Sequence, residues 1–105
     1  MSGRKNPQIN EERGLKLMER VKKPDMYKVI MLNDDFTTME FVVDVLVFVF
    51  QKSAAQATNI MLDIHRKGKG LAGVYTYDIA ATKVDIVHNM AKKHEFPLKC
   101  TIEKE

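Results

Sequence analysis

The chain has 105 residues, 45% of them apolar, and a formal charge of +3, enough for one small domain with a single core. No apolar run approaches the roughly 18–20 residues of a membrane span, and residues 1–23 lack the apolar stretch and small-residue cleavage site of a secretory signal. Seven of the 17 basic residues but only three of the 14 acidic ones fall within 1–23, so the remainder offers no basic face for phosphates and neither nucleic acid nor membrane is an expected partner.

Residues 1–24 read as a flexible N-terminal extension. They are polar, with Gly3 and Pro7, and only Leu15, Met18 and Val21 hint at a helix over 12–23. Pro24 turns the residue before it away from the helical region, and the folded core is expected over 25–105. "YKVIML" is a β-branched, nearly continuous apolar run, as a central strand shows. In "FVVDVLVFVF" the valines and phenylalanines favour a strand, but the start favours a helix. Thr37 and Glu40 have the spacing of a capping box, and Phe36 and Phe41 that of a hydrophobic staple, which predicts a helix over 38–50.

Ser53 and Gln56 repeat the capping pattern ahead of Ala57, Ile60, Met61 and Ile64, one face of a second helix that Gly68 ends. "LAGVYT" reads as the second strand. Thr76 is placed to cap a third helix striped by Ala80, Val84, Val87 and Ala91, with Asp78 near its positive end. Pro97 precedes the last strand, "LKCTIE", in which Leu98, Cys100 and Ile102 alternate inward. The order is β-α-α-β-α-β, an α+β class. With the first strand in the middle, every pairing of a three-stranded sheet is antiparallel.

"NDD" at 33–35 is the chemical puzzle, because two adjacent carboxylates beside Phe36 exceed what a turn requires. Neighbouring aspartates do not face each other as an acid/base pair would, and no Cys/His spacing of a zinc site exists. Cys100 points inward from mid-strand, as a core residue rather than a nucleophile does, and as a lone cysteine it fits a reducing, cytoplasmic setting. "GKG" at 68–70 lacks the rest of a phosphate loop. No enzyme, cofactor or metal is expected. Two readings of Asn33, Asp34 and Asp35 stay open: a turn that caps the helix, or a polar patch joined by His65 and by flexible apolar side chains such as Met39 and Met61.

"YKVIMLNDDFTTMEFVVDVL", "QATNIMLDIHRKGKGLAGVYT" and "FPLKCTIEKE" together resemble the ClpS adaptors of the bacterial N-end-rule pathway, over residues 26–105. The resemblance implies a three-stranded antiparallel sheet packed on three helices, and a binding module instead of an enzyme. It implies recognition of an N-terminal Leu, Phe, Tyr or Trp and delivery to the N-terminal domain of the ClpA unfoldase, for degradation by ClpAP. By the same resemblance Asn33, Asp34 and His65 bind the α-amine, while Asp35 and Thr37 contact the peptide backbone. Val42, Met61, Ile64 and Leu98 line the hydrophobic pocket, which Met39 guards. Asp78 and Lys83 match the contact with ClpA. Val47 and Val49 depart from the pattern, standing where polar residues are frequent. A ribosomal-protein-like interaction module of similar fold, without a pocket, is the alternative.

Overall fold

Six elements follow one another in the computed structural model, which describes residues 23–105. The expected extension falls almost wholly outside the described residues. In chain order they are β1 (Met26–Leu32), α1 (Met39–Phe48), α2 (Ala54–Lys67), β2 (Lys69–Thr76), α3 (Tyr77–Lys93) and β3 (Lys99–Lys104). The fold is α+β, with an antiparallel sheet ordered β2-β1-β3.

The apolar run of β1 follows from its central place. Val29 and Met31 are wholly buried in the core shared with the helices. Ile30, between them, takes the opposite face by the two-residue period and lies outside that core, yet is also buried. Val29 pairs with Gly73 and Ile30 with Leu71, so Ala72 is the extra residue of a bulge in β2. Phe41, Val42, Val45 and Leu46 of α1, and Ala80, Val84, Val87 and Ala91 of α3, are buried at helical spacing against the inner face.

The start of α1 differs from expectation. Its N-cap is Thr38, whose hydroxyl accepts a hydrogen bond from the Phe41 N–H at 3.2 Å. Thr37 lies one residue outside the cap, and its N–H and hydroxyl both donate to Asp34. Shifting the cap by one residue removes Glu40 from the position a capping box needs. The staple is absent as well: Phe36 is 75% exposed while Phe41 is buried.

The other end of α1 also closes early, with Val49 as C-cap and Gln51 in the left-handed region at φ 53°. Val49 is buried and Val47 packs against the core, so these two departures from the family pattern are accommodated by packing. Phe48, between them, is the exposed one.

The capping box of α2 forms as expected, Ser53 and Gln56 exchanging two bonds of 3.1 Å. Gly68 ends that helix at φ 89°, which suits glycine. Thr76 holds the N-cap position of α3 but makes no side-chain cap bond. The last strand begins at Lys99, leaving Leu98 before it, although Leu98 and Cys100 are buried as the alternation requires. Among the described residues no helix is long and apolar enough to cross a membrane.

Candidate functional site

Three segments meet where β1 ends. The Asn33 N–H donates to the Gly68 carbonyl at 2.9 Å, which ties the loop after β1 to the C-terminus of α2 and brings Asn33 beside His65. Gly70 lets α2 approach β2 closely: a Cβ there would stand 2.7 Å from Cγ1 of Ile64 and 3.2 Å from the Ile60 carbonyl oxygen. Between the loop, α1 and α2 lies a cavity of about 250 Å³.

Its floor is apolar. Val42 and Ile64 are almost fully buried, whereas Met39, 48% exposed, stands at the rim with Met61. Asn33, Asp34, Asp35, Thr37 and His65 form the polar wall. No lysine or arginine lines the cavity, so it carries negative charge. A thioether rim over branched aliphatics accommodates side chains of several shapes.

Asp34 organises the loop. One carboxylate oxygen accepts from the Phe36 N–H at 2.9 Å and the Thr37 N–H at 2.6 Å; the other accepts from the Thr37 hydroxyl at 2.7 Å. Burial pushes its carboxyl up, but the Thr37 and Phe36 hydrogen bonds outweigh it and hold the group below the usual aspartate value. Asn33, Asp35 and His65 are exposed, and their side chains have no hydrogen-bond partner among the described residues. The turn and the polar patch, left as alternatives by the sequence, are therefore one object. Asp34 makes the turn, and the turn presents the others.

Leu98 is the one expected pocket residue that the structure does not place on this cavity. It is buried at the edge of a separate groove with Phe36, Phe96 and Pro97. Every residue that does line the cavity was marked in the sequence. Asp78 and Lys83 lie elsewhere, on α3. Asp78 is exposed in the first turn. The Lys83 ammonium donates to the Val49 carbonyl at 2.6 Å and the Gln51 amide oxygen at 3.0 Å, and sits 5.2 Å from the centre of the Tyr75 ring. It closes the C-terminus of α1, where a cation is favoured.

Among the described residues no group of three or more His, Cys, Asp or Glu side chains could hold a metal ion. Burial pushes the Cys100 thiol up to about 12, so it supplies no thiolate at neutral pH. What the site can do is hold a ligand with a cationic head and an apolar body.

Such a pocket on a small α+β frame defines a ligand-binding module. The family model described as "ATP-dependent Clp protease adaptor protein ClpS" matches residues 22–101, and the chain belongs to that family. Its relatives include the ATP-dependent Clp protease adapter protein ClpS of Acetivibrio thermocellus, 64% identical over 80% of this chain and 85% of that one. The ClpS of Syntrophus aciditrophicus is 53% identical over 91% and 90%. Among solved structures, Agrobacterium tumefaciens ClpS2 bound to L-phenylalaninamide superposes with a TM-score of 0.76. It is 41% identical and covers 79% of this chain and all of its own. The protein is thus an adaptor of the Clp protease, not an enzyme.

Proposed function

We infer that the cavity binds proteins whose N-terminal residue is Leu, Phe, Tyr or Trp and that the adaptor delivers them to the ClpA unfoldase, for degradation by ClpAP in the cytoplasm. The observation that carries this reading is a set of unpartnered acceptors around an apolar well. The ligand of the Agrobacterium relative has the matching parts: a free α-amine, a benzyl side chain, and an amide that stands for the next peptide bond.

An α-ammonium has three donors and one charge. Asn33 offers an amide oxygen, His65 a ring nitrogen, and the two aspartates the counter-charge. Because Asp34 already accepts three hydrogen bonds, it acts on the amine chiefly through its charge, and Asp35 holds the open carboxylate acceptors. Thr37 donates its hydroxyl proton to Asp34, which leaves its oxygen lone pairs for a peptide N–H. The side chain enters over Val42 and Ile64, between Met39 and Met61; Met39 narrows the mouth beside the backbone, where a β-branched residue is widest.

Each hydrogen bond to a charged group contributes about 1.5–3 kcal/mol, and burying a Phe or Leu side chain contributes about 1.5–3 kcal/mol. Neither reaches the about 8 kcal/mol of a micromolar complex alone. Both recognition elements are needed. The test is a fluorescence titration of a Phe-initiated peptide, free and N-acetylated. Acetylation removes the charge and two donors, so affinity should fall more than about tenfold. Equal binding of the two forms overturns the reading. Asp78 and the neighbouring surface of α3 are the proposed contact with ClpA, with Lys83 contributing mainly by holding α1 in place.

A further inference from the structure

A second cavity, of about 350 Å³, opens beside the first. Met39 and Met61 wall both of them, and Val43, Glu40 and Asp44 complete the second. Glu40 and Asp44 are four residues apart on α1 and so project from one face. Both are exposed, and neither makes a salt bridge among the described residues. No basic residue lines this groove. A larger groove of about 640 Å³ beside Phe36 shares no lining residue with the candidate site, so it is not continuous with it.

The geometry of an extended peptide links the two cavities. If its first side chain descends onto Val42 and Ile64, its backbone stays at the rim beside Met39 and Met61. Side chains of an extended chain alternate, so the first and third point the same way, about 6.6 Å apart. A step of that size across the shared methionine wall leads from the first cavity into the second. The two thioether side chains form a flexible apolar surface on which the methylene stem of a long side chain can lie.

We propose that this groove is the subsite for the third residue of a bound N-terminal segment, and that it selects lysine or arginine there. The stem lies across Met39, Val43 and Met61, and the cationic head sits between the Glu40 and Asp44 carboxylates. The second side chain points outward and is not read by this groove. The proposal rests on the N-terminal-residue reading given above.

The experiment titrates the full chain with Phe-Ala-Lys, Phe-Ala-Ala and Phe-Lys-Ala peptides carrying a common C-terminal reporter. The readout is the ratio of dissociation constants within each protein, so changes in first-pocket affinity cancel. Phe-Ala-Lys should bind about two- to fivefold tighter than Phe-Ala-Ala, as an exposed ion pair allows. In the Glu40→Gln/Asp44→Asn double variant that ratio should fall to one, while any preference for Phe-Lys-Ala, set by Asp34 and Asp35, should persist. A third-residue preference that survives the double variant overturns the proposal, because it then arises from the general negative field. A wild-type ratio near one also overturns it, including the case in which the basic segment 1–22 of this chain fills the groove instead. N-acetyl-Phe-Ala-Ala serves as the control: if it binds as well as the free peptide, the underlying reading has failed, not the subsite.

Discussion

Asp34 accepts hydrogen bonds from three donors within three residues of itself. That arrangement ties the shape of the recognition loop to ionisation. The folded state holds its carboxyl below the value of an unfolded chain, so folding favours the deprotonated form. The resulting stability is fully present above the unfolded value and is lost as pH falls through the folded one. Asp34→Asn keeps the shape but removes the charge. Its urea midpoint should lie below wild type above about pH 5, and the gap should close as the solution is acidified below 3.8, the ordinary aspartate value. A gap that stays constant from pH 7 to pH 3 would show that the carboxylate charge contributes nothing to the loop.

Between elements, the decisive contact is that of α2 with β2. α2 supplies Met61, Ile64 and His65 to the cavity, and Gly70 sets how near it comes. In Gly70→Ala the new methyl meets Ile64 Cγ1 at 2.7 Å and the Ile60 carbonyl oxygen at 3.2 Å. The side chain can rotate away; the carbonyl cannot without moving the helix. The expected cost is about 1–3 kcal/mol in urea denaturation, with weaker binding of a Phe-initiated peptide. If Gly70→Ala alone changes neither, the approach of α2 does not govern the pocket. Lys83 acts at the same scale at the C-terminal end of α1, which its two hydrogen bonds and its place over Tyr75 fix.

For the whole molecule, the proposed recognition and delivery functions fall on different segments of the chain. The cavity is built wholly from residues 33 to 65, whereas Asp78 lies on α3 and residues 1–22 lie outside the described residues. Deleting residues 1–20 should leave the affinity for a Phe-initiated peptide within about twofold of the full chain, because the lining residues from Asn33 to His65 are all retained. The same deletion should abolish delivery of a Phe-initiated reporter to ClpAP. Peptide titration beside reporter degradation measures both halves, and a deleted protein that still accelerates degradation would refute the division.

The order of elements, the central place of β1 and the stripe of α3 were all legible in the sequence, because each depends on local periodicity of apolar residues. So was every residue that lines the cavity, although the roles of those residues came from resemblance and not from pattern. The start of α1 lies one residue later than the Thr37–Glu40 spacing predicts: Thr37 folds back onto the Asp34 carboxylate as part of the loop, and the Thr38 hydroxyl accepts from the Phe41 N–H instead. Leu98 alternates inward as predicted, but which cavity an inward side chain borders depends on how neighbouring elements pack. Lys83 likewise reads as a surface charge until the carbonyl of Val49, 34 residues away in the chain, is placed against it. Val49 stands where the resemblance makes polar residues frequent, and just past a helix that ends at Phe48 it is buried in the core. The sequence by itself determined which residues are apolar, which cap and which carry charge, since these are properties of the residue and its near neighbours. Which donor meets which acceptor, and that Met39 and Met61 wall two cavities rather than one, was decided only by tertiary structure, because those distances are set by segments far apart in the chain.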